Sequence, residues 1–178
     1  PAMWDLLERV PEWARITLKQ NEFISQAVQR YRYMNQCVVL GRGLNYATAF
    51  EWALKLKELT YTLAEPYSSA DFQHGPVAMI SDGFPVLAVV ANGSVLESMV
   101  TSLEHLKKDL MAELVVISNN QRARSLAQAS FTIPESVPEW LSPLVSIVPA
   151  QLFAYHLTVA RGYDTNAPRT IRKVTETR

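Results

Sequence analysis

The sequence holds a single cysteine, Cys37, so no disulfide can close within the chain. That cysteine stands in the apolar run Cys37-Val38-Val39-Leu40, and a reduced, cytoplasmic setting is the natural expectation. Neither charge sign is in excess. Lysine plus arginine and aspartate plus glutamate number 17 each, so no global field points to a nucleic acid or an anionic membrane. No uninterrupted apolar run has the length a bilayer requires, and no charged-then-apolar signal peptide opens the chain. The first residue is Pro1 rather than methionine, as expected of a fragment of a longer protein.

What is present is 178 residues, 48% apolar, enough for one domain with a proper core. Trp4, Leu7, Val10, Trp13, Ile16 and Leu18 recur at close to helical spacing and Pro11 restarts the pattern, which predicts two short helices over 3–18. A further helix over 23–31 and a turn at Asn35-Gln36 lead into a first strand, Cys37 to Leu40. Residues 1–34 are thus lead-in helices, and 35–162 the main domain. Apolar runs of strand length at Pro85 to Val90, Leu114 to Ile117 and near Ser130 to Ile133 alternate with helical patterns over 95–110 and near 122–127. Strands separated by helices imply an α/β fold with a parallel sheet and right-handed crossovers. A proline-containing loop over 134–143 precedes a long, mostly apolar helix, Leu144 to Arg161. The last sixteen residues, 163–178, are a polar, basic tail with no core pattern.

Residues 41–80 carry the most information. At about 100° per residue, the helix expected from Tyr46 to Thr60 gathers Glu51, Lys55 and Glu58 into one stripe. Phe50, Trp52, Ala53, Leu54, Leu56 and Leu59 fill most of the remaining circumference. A helix apolar nearly all round should be buried, and its charged stripe then faces a partner, an interface or a site. The same spacing also describes a solvated salt-bridge ladder. Ala64 to Ser69 reads as a short extended segment. Pro76 suits the start of a helix and leaves His74 displayed on the loop before it, as a site group or as an exposed turn residue. His156 reads as packed and His105 as solvated surface. The turn Gly41-Arg42-Gly43 invites a dinucleotide reading, but Tyr46 stands where a third glycine belongs. No cofactor is expected, and no metal. This turn, with Asn45 and Thr48 beside it, can still meet an anion at a helix N-terminus. In parallel sheets ligands bind outside the carboxyl ends of the strands, where this turn and the Ser68 to His74 loop both fall.

Three separated motifs carry a resemblance. The first is Ala53-Leu54-Lys55-Leu56-Lys57-Glu58, followed by Ala64-Glu65-Pro66-Tyr67 and by Ser68-Ser69-Ala70-Asp71 running into His74-Gly75-Pro76. The second runs from Val148 to His156, VPAQLFAYH, and the third from Ala167 to Thr175, APRTIRKVT. Together they resemble the second sugar isomerase (SIS) lobe of the glucosamine-6-phosphate synthase isomerase module and its glutaminase-free relatives. The resemblance implies a flavodoxin-like three-layer sandwich, a five-stranded parallel sheet flanked by helices. It also implies a phosphosugar substrate, a homodimer or a second SIS lobe as partner, and no role for nucleic acid or membrane. The tail, 163–178, would fold over the sugar site and supply a lysine, here Lys173.

Moving a carbonyl between C1 and C2 of a phosphosugar needs a base that carries one proton between adjacent carbons, and a carboxylate in a water-poor pocket can do this. Glu58 fits that role. His74 fits the proton shuttle that opens the sugar ring, acting, as the resemblance implies, in the site of a second subunit. Lys173 can form a Schiff base with the open-chain ketose or neutralise the enediolate. Arg169 and Lys55 would support it, with Asn45 and Thr48 as further substrate contacts. In the relatives a Ser/Thr-rich loop of the first lobe holds the phosphate. No N-terminal cysteine nucleophile is present to release ammonia from glutamine. Val174 follows Lys173 where the synthases tend to have serine, and this is more similar to the glutaminase-free relatives. The expected function is therefore an aldose–ketose isomerase or deaminase acting on aminosugar 6-phosphates. The alternatives are the isomerase half of a glutamine–fructose-6-phosphate aminotransferase and a non-catalytic sugar-phosphate sensor.

Overall fold

The computed structural model describes residues 2–169. Five strands, β1 (Gln36–Gly41), β2 (Leu63–Ser68), β3 (Pro85–Val90), β4 (Glu113–Ser118) and β5 (Ala129–Thr132), form one parallel sheet in the order β2-β1-β3-β4-β5. The helices are α1 (Met3–Glu8), α2 (Val10–Leu18), α3 (Asn21–Ala27), α4 (Asn45–Lys55), α5 (Ser69–Phe72), α6 (Leu96–Lys108), α7 (Gln121–Ser125) and α8 (Ser142–Ala160). β3 and β4 are buried at every position, because a parallel sheet covered on both faces has no wet side with which to alternate.

Alternate strand residues feed two cores. Cys37, Val39, Leu87, Val89, Val115 and Ile117 face one, which α2, α3, α4 and α8 close. Val38, Leu40, Val86, Ala88, Leu114 and Val116 face the other, under α6 and α7. This is the expected three-layer α/β sandwich. Trp13, Ile24 and Tyr31 are buried in the first core, so the lead-in helices are part of it. At its centre Phe153 of α8 meets Trp52 edge-on at 5.5 Å, Tyr31 at 5.6 Å and Phe131 at 6.1 Å.

Two expectations need correction. With the turn before it, Glu139–Ala160 is long and apolar enough by length and composition to cross a membrane. Pro143 hid this length in the sequence; it sits in the first turn of α8, where its missing N–H costs nothing. In the fold, Val145, Ala150, Phe153, Ala154 and Leu157 of this segment are buried in the first core. The second correction concerns α4, which is not buried all round. Ala49, Trp52 and Ala53 face the core, but Phe50 is 50% and Leu54 42% exposed. A helix laid on a sheet has only one side on the core, and nothing among the described residues covers the other.

Phe153→Ala should lower stability by about 3–5 kcal/mol, read as a lower urea midpoint at unchanged slope. A loss below about 1 kcal/mol would mean that the aromatic cluster does not organise the core. Cys37 is fully buried, and burial pushes its thiol up to about 12. It should resist a thiol reagent at about pH 8 until the chain is unfolded. Rapid labelling of the folded chain would contradict that burial.

Candidate functional site

At the carboxyl edge of the sheet the first turn of α4 sits so close to β1 that a β-carbon on Gly41 would collide with the Asn45 carbonyl. Asn45 and Thr48 are consequently buried. Asn45 Nδ2 donates to Ser142 Oγ at 2.7 Å, and Asn45 Oδ1 accepts from Ser146 Oγ at 2.9 Å and from Thr48 Oγ1 at 3.3 Å. These two side chains, expected to meet a ligand, join α4 to α8. For this strand order the ligand crevice lies between β1 and β3, and its other wall is also taken. Glu139 accepts from the Ser94 amide at 3.0 Å and from Ser94 Oγ at 2.8 Å. Gly93, at φ +154, has no room for a β-carbon against that carboxylate. These hydrogen bonds tie the loop after β3 and the start of α8 to this edge of the sheet.

His74 lies at the same edge. Ser68 Oγ accepts from the Ala70 amide and starts α5, which ends at Phe72; Gly75, at φ +144, turns the chain into a 3-10 turn, Pro76–Met79. The imidazole between them is exposed, as its loop position suggested. His156 is half-buried, with Nε2 2.8 Å from Asn21 Oδ1, and His105 pairs with Asp109 on the surface.

Glu58 lies elsewhere. α4 runs back from the carboxyl edge and ends in a π-turn, Leu56–Thr60, which carries Glu58 just ahead of the first residue of β2. π-turns of this kind recur at functional sites. Lys55 Nζ is 2.7 Å from Glu58 Oε2 and 3.7 Å from Glu51 Oε1. The hydrogen bond to Glu58 raises the Lys55 ammonium above its ordinary value, so the lysine is a fixed cation. Both side chains of the closer pair are about one-third exposed, Lys55 31% and Glu58 32%. A strand of six residues separates the two edges, so Glu58 and His74 stand about 20 Å apart along the strands.

The described part of the tail returns to the Glu58 end. The Arg169 guanidinium lies 4.5 Å over the Tyr61 ring, the Arg169 amide donates to Tyr61 Oη at 2.9 Å, and Tyr163 stacks on Tyr61 at 5.0 Å. Lys173 lies outside the described residues. The fold thus brings Lys55 to Glu58 and Arg169 to Tyr61, three residues further on, and sets His74 at the opposite edge. Sequence reasoning missed Glu139, Ser142 and Ser146. The i,i+4 spacing of the two serines on α8 could have revealed a polar seam; the reach of Glu139 to Ser94 has no local signal.

Because the Lys55–Glu58 pair is partly exposed, Glu58→Gln should change stability by less than about 1 kcal/mol. A larger loss in urea unfolding would make Glu58 a structural residue. Burial lowers the His156 imidazole below its usual 6.5. The unfolded chain then takes up the proton first, so stability should fall as pH drops below about 6.5. His156→Gln should flatten that part of the profile, and an unchanged slope would assign it to other groups.

The SIS domain model matches residues 31–161. Over 169 residues the chain is 38% identical to the isomerizing glutamine–fructose-6-phosphate aminotransferase of Thermococcus kodakarensis, which covers 95% of this chain and 28% of that protein. Among solved structures it is similar to the C-terminal domain of glucosamine-fructose-6-phosphate aminotransferase from Francisella tularensis, with a TM-score of 0.81 and 28% identity over 89% of this chain and 44% of that one. It is also similar to glucosamine-6-phosphate deaminase from Thermotoga maritima, with a TM-score of 0.64 and 25% identity over 94% and 47%. The chain spans less than half the length of each. From the parallel sheet, its strand order and these matches, the chain belongs to the SIS domain family.

Proposed function

We propose that this chain is one phosphosugar-binding lobe of an aldose–ketose isomerase or deaminase acting on aminosugar 6-phosphates of the glucosamine 6-phosphate and fructose 6-phosphate type. The observation that carries the reading is the division of its candidate groups. An ion-paired carboxylate, Glu58, stands at one edge of the sheet and a displayed histidine, His74, at the other, so one copy cannot bring both to one sugar. The names of the aminotransferase and deaminase relatives point to the same pair of sugars.

In this reading Glu58 takes a proton from one carbon of the open-chain sugar and returns it to the neighbouring carbon, with an enediol between. Lys55 holds the Glu58 carboxylate in place through their ion pair. His74 of a second copy moves the ring-opening proton. Lys173 forms the Schiff base or neutralises the enediolate, and Arg169 supports it. The tail from 163 to 178 closes over the sugar, and the phosphate is held by a first SIS lobe.

The uncovered side of α4 supports a partner there. Phe50 and Leu54, with Leu44 and Leu144 nearby, form an exposed apolar surface next to the Glu51-Lys55-Glu58 stripe. A lobe or second copy seated on it would exclude water from the Glu58 side of the helix. The assembly is proposed to be a dimer and to work in the cytoplasm; the unpaired, buried thiol of Cys37 suits that compartment.

In the full-length protein that carries this lobe, Glu58→Gln and His74→Ala should each abolish turnover of glucosamine 6-phosphate. Mixing the two variants under conditions that exchange subunits should restore about a quarter of the normal activity, since half of the dimers then hold one intact site of two. No recovery, with exchange confirmed by mass spectrometry, would place both groups in the same copy's site and overturn the division.

A further inference from the structure

We propose that the amino-end face of the sheet carries a second anion site, which binds a phosphate group through Arg32 and Arg161. The cavity borders the proposed sugar site, sharing Arg169 and the tail residue Tyr163 with it, but neither Lys55 nor Glu58 lines it.

The cavity has a volume of about 660 Å³ and lies where the chain enters β1 and β2 and leaves α8. Four arginines, Arg30, Arg32, Arg161 and Arg169, line it, and among the described lining residues there is no aspartate or glutamate. Arg30 is already neutralised, with Nε and Nη2 on the Glu113 carboxylate at 2.5 and 3.0 Å. Arg161 is held differently. Its Nη1 donates to the Thr60 carbonyl at 2.7 Å and to Thr62 Oγ1 at 2.9 Å, and its Nη2 to the Met34 carbonyl. All three acceptors are neutral, so they fix the guanidinium in place without balancing its charge. Arg161 Nε is buried with no partner, and burial pulls the guanidinium below its ordinary value. Arg161 is half-buried, and among the described residues it has no carboxylate. Arg32 is exposed at the rim, also without an ion pair among the described residues. Two guanidiniums without a carboxylate among the described residues match the two charges of a phosphate; the exposed fork of Arg32 can meet its oxygens, and the fixed Arg161 adds its charge. Tyr61 and Tyr163, in tilted ring contact at 5.0 Å, form one wall of the cavity.

The test is a ¹H–¹⁵N NMR titration of the chain at low ionic strength with inorganic phosphate and, separately, glucosamine 6-phosphate. The amides of Asn35, Tyr61 and Tyr163 should shift saturably with at least one of them. Arg32→Ala, at an exposed position, should weaken that binding about tenfold, the effect of losing one charge-assisted hydrogen-bonding partner. Arg122→Ala, which removes the same charge from α7, should leave it unchanged. Saturation by phosphate makes the free ion a ligand, and saturation by the ester alone makes the ester the ligand. If neither anion moves these amides by about 10 mM, or if the two arginine variants weaken binding alike, the site does not exist.

Discussion

Because β1 and β2 run parallel, the chain between them must return along the whole length of the sheet, and α4 with its π-turn is that return. Most of what is distinctive here follows from this crossover. Its first residues are pressed against Gly41 at the carboxyl edge, where Asn45 and Thr48 are absorbed into the joint with α8. Its last residues carry Glu58 to the amino edge. β2 then brings the chain back and leaves His74 beyond the carboxyl edge. Two motifs that are close in sequence are thereby set at opposite ends of the molecule, and any chemistry that needs both must draw on more than one copy.

The carboxyl edge is tied together by hydrogen bonds between distant segments. Beside the loops after β1 and β3, Asn45 bonds Ser142 and Ser146, and Glu139 bonds Ser94. These hydrogen bonds fix α8 against the sheet, and α8 in turn supplies Phe153 to the aromatic cluster around Trp52. The carboxyl edge serves the lobe's own stability and displays His74 beyond it. The Glu51-Lys55-Glu58 stripe lies on α4's outer side, beside a surface that a partner can cover.

Some of this was legible in the sequence. β3 and β4 stood out because fully buried parallel strands are unbroken apolar runs, and Pro11 marked the junction of α1 and α2. The Lys55–Glu58 pair was visible as i,i+3 spacing. β2 and α5 were read only as a short extended segment and a loop, since an edge strand half open to solvent and a single capped turn have weak patterns. The helix α4 was misjudged because apolarity around a helix does not say whether its second side meets the chain's own core or another molecule. The ties at the carboxyl edge depend on pairs far apart in sequence, such as Asn45 with Ser142 and Glu139 with Ser94. So does the cage around Arg161, whose acceptors lie near residues 34 and 60. Residue spacing carries no trace of such contacts; only the topology brings them together.

The central claim is that this lobe contributes catalytic groups to a site it cannot complete by itself. The most direct measurement follows ammonia and fructose 6-phosphate from glucosamine 6-phosphate with the purified chain, before and after a first SIS lobe is supplied as a separate polypeptide. The account predicts no turnover by the chain alone and turnover once that first lobe is present. Turnover by the chain alone, abolished by Glu58→Gln, would contradict it.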